Sequence, residues 1–163
     1  MSAVSGHTTV HLLRHGEVYN PQGVLYGRLP GYFLSDLGLE MADRAASALA
    51  NRDIAAVISS PMERAQQTAA PIAKTHRVEI VTNSDLIEAE NIFEGKRVSV
   101  GDGVLKQPKT WRHLWNPFKP SWGEPYDTVA TRMSAAIESA RAQGEGRLKG
   151  LLYLMPNVKW RSI

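Results

Sequence analysis

The chain contains no cysteine. Disulfides and thiolate metal ligands are therefore excluded, and nothing calls for an oxidising compartment. No apolar run approaches the roughly 20 residues that span a bilayer, so no membrane role is expected. The opening residues, MSAVSGHTTV, have neither a basic leader nor a long apolar stretch, and no secretory signal is expected there. Basic residues never run five together. A net charge of +3 therefore does not point to nucleic acid, although it suits an anionic ligand. Internal repeats and low-complexity tracts are absent too. What remains is a globular composition, 43% hydrophobic and 21% charged. A chain of 163 residues buries roughly 70% of its unfolded surface, enough for one real core. The expectation is a single cytoplasmic domain over residues 1–163.

What is present alternates between strands and helices. Thr8–His15 reads as a buried strand, followed by loop signals at Asn20–Gly23 and Gly27–Gly31. Ser35 is placed to cap a helix whose apolar stripe is expected at Leu37, Met41, Ala45 and Leu49. Ile54–Ser60 is a second strand. A helix from Pro61 to His76 follows, with proline at a tolerated first-turn position. Val78–Thr82 alternates as a third strand. This β-α-β-α-β order predicts a parallel sheet with helices on its faces. Ser99–Tyr126 departs from it, being rich in glycine, proline and tryptophan, with Trp111, Trp115 and Trp122. Such an excursion is a specificity loop or a surface insertion. Tyr126–Gly144 then reads as an amphipathic helix through Val129, Met133, Ala136, Ile137 and Ala140, and Gly150–Met155 as one more strand.

Chemistry-bearing residues fall at the strand ends. Arg14-His15-Gly16 closes the first strand, where ligands of a parallel sheet collect. An imidazole there can attack phosphorus, an arginine fork fits phosphate oxygens, and a glycine lets backbone approach an anion. Arg64 lies at the start of the helix after the second strand, where anions are favoured. After the third strand come Asp85, Glu88, Glu90 and Glu94, any of which can donate and recover a proton. Composition does not choose among them.

Four stretches in this order, LLRHGE, YGRLPGYFLSDLG, SSPMERAQQTA and LIEAENIFEG, resemble the signature segments of the histidine phosphatase superfamily, which includes the cofactor-dependent phosphoglycerate mutases. The resemblance runs from Val10 to about Arg141 and leaves 142–163 as a divergent tail. It implies a three-layer α/β/α sandwich. It also implies that His15 is phosphorylated, that Arg14, Arg64 and Asn20 bind phosphate, and that Glu88 donates and accepts the proton. Arg28 and Gly27 would line the substrate pocket. No metal or other cofactor is implied, and the partner is a small phosphorylated substrate. Oligomeric state is not readable. Three readings stay open: a phosphomonoesterase, a phosphoglycerate mutase, and a phosphate-ester-binding protein without turnover.

One family element is missing. A second catalytic histidine usually follows a late apolar strand as Val-Ser-His, whereas the last histidine here is His113, before the late helix. A shortened or frameshifted C-terminus is the expectation. If Leu152 ends in G, Tyr153 is UAU and Leu154 is CUC, the third-base frame across Leu152–Pro156 encodes Val-Ser-His-Ala. The coding DNA tests this. Loss of the histidine would weaken turnover, and loss of closing elements would expose apolar surface.

Overall fold

The computed structural model describes residues 9–97, 123–144 and 150–155. In chain order the elements are β1 (Thr9–Arg14), α1 (Asp36–Leu49), β2 (Ile54–Ser59), α2 (Glu63–His76), β3 (Ile80–Thr82), a 3-10 turn (Ser84–Leu86), α3 (Tyr126–Gly144) and β4 (Gly150–Met155). Residues 98–122, which hold most of the Trp-rich excursion including Lys109, Arg112, His113 and Lys119, lie outside the described residues, as do residues 1–8, 145–149 and 156–163.

The strands form one parallel sheet in the order β1-β4-β2-β3, so the last strand in sequence is inserted between the first two. Arg14 pairs with Met155, Leu154 with Ser59, and Ser59 with Thr82. The carboxyl ends of all four strands therefore share one edge, and the segments that follow β1, β2 and β3 begin side by side.

Side-chain alternation divides the core between the two sheet faces. On one side α1 and α2 pack Ala46, Ala65, Ala69 and Ile72 against Ile54 and Val57. On the other, α3 sets Val129, Met133 and Ala136 against Ile58 and Leu86. In β1, Leu13 joins the first cluster and Val10 the second. The result is the expected α/β/α arrangement. Ile54 and Val57 are three apart, so strict alternation would place them on opposite faces. A register shift between Ile54 and Ala56 inserts a residue and returns both to the same side.

Helix α1 corrects the expected stripe. Ser35 does cap it, accepting the Gly38 N–H at 3.0 Å. The buried positions, however, are Gly38, Ala42 and Ala46. Leu37 and Met41 are exposed, while Ala45 and Leu49 flank the core. Small residues face inward because α1 starts almost in contact with the end of β1. A Cβ on Gly38 would lie 2.0 Å from the Glu17 carbonyl oxygen, and one on Gly16 would lie 2.5 Å from the Gly38 oxygen. Both neighbours are backbone and cannot rotate away. Gly38→Ala is therefore expected to cost about 1–3 kcal/mol. That corresponds to a melting temperature lower by roughly 2–4 °C per kcal/mol at this size. An unchanged thermal melt would show that α1 does not approach so closely.

Helix α2 begins at Glu63, with Met62 as its N-cap, and Pro61 falls just before it. Pro71 lies inside the helix, where its carbonyl accepts the Thr75 hydroxyl at 2.9 Å. No helix among the described residues is long and apolar enough to cross a membrane.

Candidate active site

His15 follows directly on β1 and is buried. Its Nδ1 lies 2.8 Å from the Gly16 carbonyl oxygen. A carbonyl only accepts, so Nδ1 carries the proton and the lone pair of the neutral ring sits on Nε2. Nε2 is buried and has no hydrogen-bond partner. The chain around the ring is held from α2: the Thr68 hydroxyl accepts the Gly16 N–H at 3.2 Å and donates to the Arg64 carbonyl at 2.8 Å.

Arg64, on the first turn of α2, is only 1% exposed. Its Nη2 donates to the Gly27 carbonyl at 2.6 Å and to Glu88 Oε2 at 2.8 Å. Tyr26 stacks under the guanidinium, 4.8 Å from ring centroid to Cζ, and Tyr32 stacks on Tyr26 at 5.1 Å. Nε and Nη1 are buried and unpartnered. A buried cation with unmade hydrogen bonds is costly unless something completes them. The Thr68 hydroxyl joins the backbone beside His15 to that of Arg64, so the free imidazole lone pair and the orphaned donors lie on adjoining segments. The complement of such a cluster is an oxyanion bearing an electrophilic centre.

The structure also separates the four acids. Glu88 is the one whose carboxylate meets Arg64. Asp85 is exposed, and the Glu90 side chain is 70% exposed. Glu94 instead accepts the Arg28 N–H at 3.0 Å. Its carboxylate fills the place of a Gly27 side chain, since a Cβ there would meet Glu94 Oε1 at 2.1 Å. Gly27 also has a φ of 40°, so glycine is required twice over while its carbonyl holds Arg64.

The remaining candidates fall in different places. Arg14 is exposed at the end of β1, with its charge felt by both His15 and Tyr26. Both ends of the Asn20 amide are engaged with Val24, donating to its carbonyl at 2.8 Å and accepting its N–H at 3.2 Å, so this side chain closes its own loop. Arg28 spends Nε on the Glu88 carbonyl at 2.7 Å and Nη2 on Glu124 Oε2 at 2.8 Å. Sequence reasoning assigned no role to Tyr26, Thr68 or Gly38, although all three lie inside the quoted motifs. It had no local signal for Glu124 or Arg132.

Burial is the main influence on His15 and lowers its pKa from the ordinary 6.5, and the charges of Arg64 and Arg14 act in the same direction. The Gly16 carbonyl and Glu88 oppose them. The neutral ring therefore persists to more acid pH than a free imidazole would. If neutral His15 is the reacting form, the acid limb of kcat/KM has its midpoint below 6.5. A pH profile with dinitrophenyl phosphate, whose own ionisation lies well to the acid side, reads this limb. A midpoint above 6.5 would contradict the assignment.

A family model described as histidine phosphatase superfamily (branch 1) matches residues 10–152. The chain is similar to the uncharacterized protein Rv0525 of Mycobacterium tuberculosis, with 57% identity over 139 residues that make up 85% of this chain and 69% of that protein. Among solved structures it is similar to YhfR of Bacillus stearothermophilus, with a TM-score of 0.76 at 26% identity, covering 91% of this chain and 74% of that one. It is also similar to the mycobacterial glucosyl-3-phosphoglycerate phosphatase Rv2419c in complex with VO3. There the TM-score is 0.69 at 25% identity, over 88% of this chain and 73% of the other.

Proposed function

The chain belongs to the histidine phosphatase superfamily, and on that premise we propose that it hydrolyses small phosphate monoesters through a phosphohistidine on His15. The observation that carries this reading is that His15 Nε2 and the Nε and Nη1 of Arg64 are all buried and unpartnered, on segments joined through Thr68. Support also comes from the likeness to a mycobacterial phosphatase structure that binds VO3.

In the proposed first step, phosphoryl oxygens occupy the two open Arg64 nitrogens, with Arg14 at the exposed side. His15 Nε2 attacks phosphorus as the bond to the leaving oxygen breaks, and Glu88 supplies the proton that oxygen needs. An alcohol departs. In the second step water attacks the phosphohistidine, Glu88 takes its proton, the N–P bond breaks, and inorganic phosphate is released. The imidazole is regenerated, so no net redox change or cofactor enters. Asn20 contributes by fixing the loop after β1, and Arg28 and Gly27 by fixing the pocket wall.

No position from 114 to 163 is histidine. A phosphoryl site that works without the family's second histidine is expected to turn over about a hundredfold to a thousandfold more slowly than one that has it. The direct test is release of inorganic phosphate from an aryl phosphate by the purified chain. Slow release that saturates with substrate supports hydrolysis. Tight phosphate binding without release would indicate a binding protein, and transfer between positions of a phosphoglycerate would indicate a mutase.

A further inference from the structure

Glu88 is braced from behind by a charge network that none of the motifs announces. Gly123 and Glu124 approach its segment through backbone: the Glu124 N–H donates to the Glu90 carbonyl at 3.0 Å, and a Cβ on Gly123 would lie 2.5 Å from that same oxygen. The Glu124 carboxylate then binds two guanidinium groups at once. Arg132, on α3, meets it through Nε at 2.9 Å and Nη2 at 3.0 Å, and Arg28 meets it through Nη2 at 2.8 Å.

Each arginine also donates to the backbone around Glu88, and Arg28 Nη1 lies 4.0 Å from Glu90 Oε2. Arg28 Nε donates to the Glu88 carbonyl at 2.7 Å. Arg132 Nη1 donates to the Ile87 carbonyl at 2.8 Å and also to the Asp85 carbonyl. Three carbonyls of one short connection thus end on two forks, and one carboxylate sets the orientation of both. Such bidentate, charge-assisted bonds fix direction as well as distance. The Glu124 carboxyl is held below its ordinary pKa, first by its hydrogen bond from Arg132, so it stays ionised.

We propose that Glu124 is a positioning residue, locking Arg28 and Arg132 so that the Glu88 carboxyl is presented to the leaving oxygen beside Arg64. This rests on the reading of Glu88 as the proton donor. Glu124 is not placed against the phosphate; it acts through the 85–90 backbone. Arg28, expected from the sequence to touch substrate, becomes part of the same brace.

Leaving-group dependence separates this role from general structural support. An alkyl phosphate needs a proton at its leaving oxygen, whereas dinitrophenyl phosphate does not. Misplacing a catalytic group by about 1 Å costs on the order of a hundredfold. Glu124→Gln is therefore expected to lower kcat/KM for an alkyl phosphate by about that factor while holding dinitrophenyl phosphate within about threefold of wild type. Glu88→Gln should lower the alkyl phosphate rate at least as far. If Glu124→Gln does not fold, Arg132→Lys decides, because it keeps the charge facing Glu124 but loses the fork onto Ile87 and Asp85. Equal losses on both substrates, or no loss on either, would overturn the positioning role while leaving the phosphatase reading intact. A wild-type chain that turns over neither substrate would instead sink the phosphatase reading, and this inference with it.

Discussion

Replacing His15 by alanine is expected to remove turnover of every phosphate ester, by at least about ten-thousandfold. Loss of a covalent nucleophile costs on that scale because the residual groups only bind and polarise. The fold should survive. The Nδ1 contact of His15 reaches only the adjacent Gly16 carbonyl, and its Nε2 holds nothing. Deleting the ring therefore forfeits one neutral hydrogen bond, worth about 1 kcal/mol, and some packing. Phosphate release and a thermal melt on the same sample give the comparison. A variant with near-wild-type melting and no release fits the assignment. Residual release within tenfold of wild type would place the nucleophile elsewhere.

Arg64→Met is expected to lower kcat/KM by about a hundredfold to a thousandfold, the usual consequence of losing one preorganised donor to a developing anion. Its stability should change far less, because two contributions oppose. The variant loses bonds to the Gly27 carbonyl and to Glu88. It also removes a 1%-exposed cation with two unmade hydrogen-bonding positions, whose desolvation already weighs against the folded state. Inorganic vanadate, which mimics the transferring phosphoryl group, should bind the variant correspondingly more weakly. Equal vanadate affinity in wild type and variant would show that the open nitrogens of Arg64 do not receive the anion.

The sequence made the strand ends legible for a topological reason. Three apolar runs separated by single helices place His15, Arg64 and the 85–94 acids after successive parallel strands, and parallel pairing then gathers those ends on one edge. Composition and spacing did not choose among the acids, because that depends on how the chain turns after Thr82; only the motif resemblance singled out Glu88. The apolar stripe of α1 was misread because large side chains were weighted over small ones. Here Gly38, Ala42 and Ala46 are buried since the helix must pass within van der Waals reach of the Gly16–Glu17 backbone. The same approach changes the meaning of Gly16. Its missing side chain makes room for α1, where the sequence suggested room for an anion. Arg28 illustrates a different blindness. Its partner Glu124, and Arg132, which shares that carboxylate, lie about a hundred residues away in the chain, with no periodicity or motif to connect them. Such long-range ion pairs become visible only once α3 is folded against the sheet.

A rapid-quench reaction of the wild-type chain with dinitrophenyl phosphate, followed by peptide mass analysis, reaches the proposed chemistry most directly. The predicted result is a single phosphoryl group on the peptide carrying His15, stable in base and lost in acid, formed fast enough to account for turnover. Phosphate release with no such adduct, or with the phosphoryl group on another residue, would contradict His15 as the nucleophile.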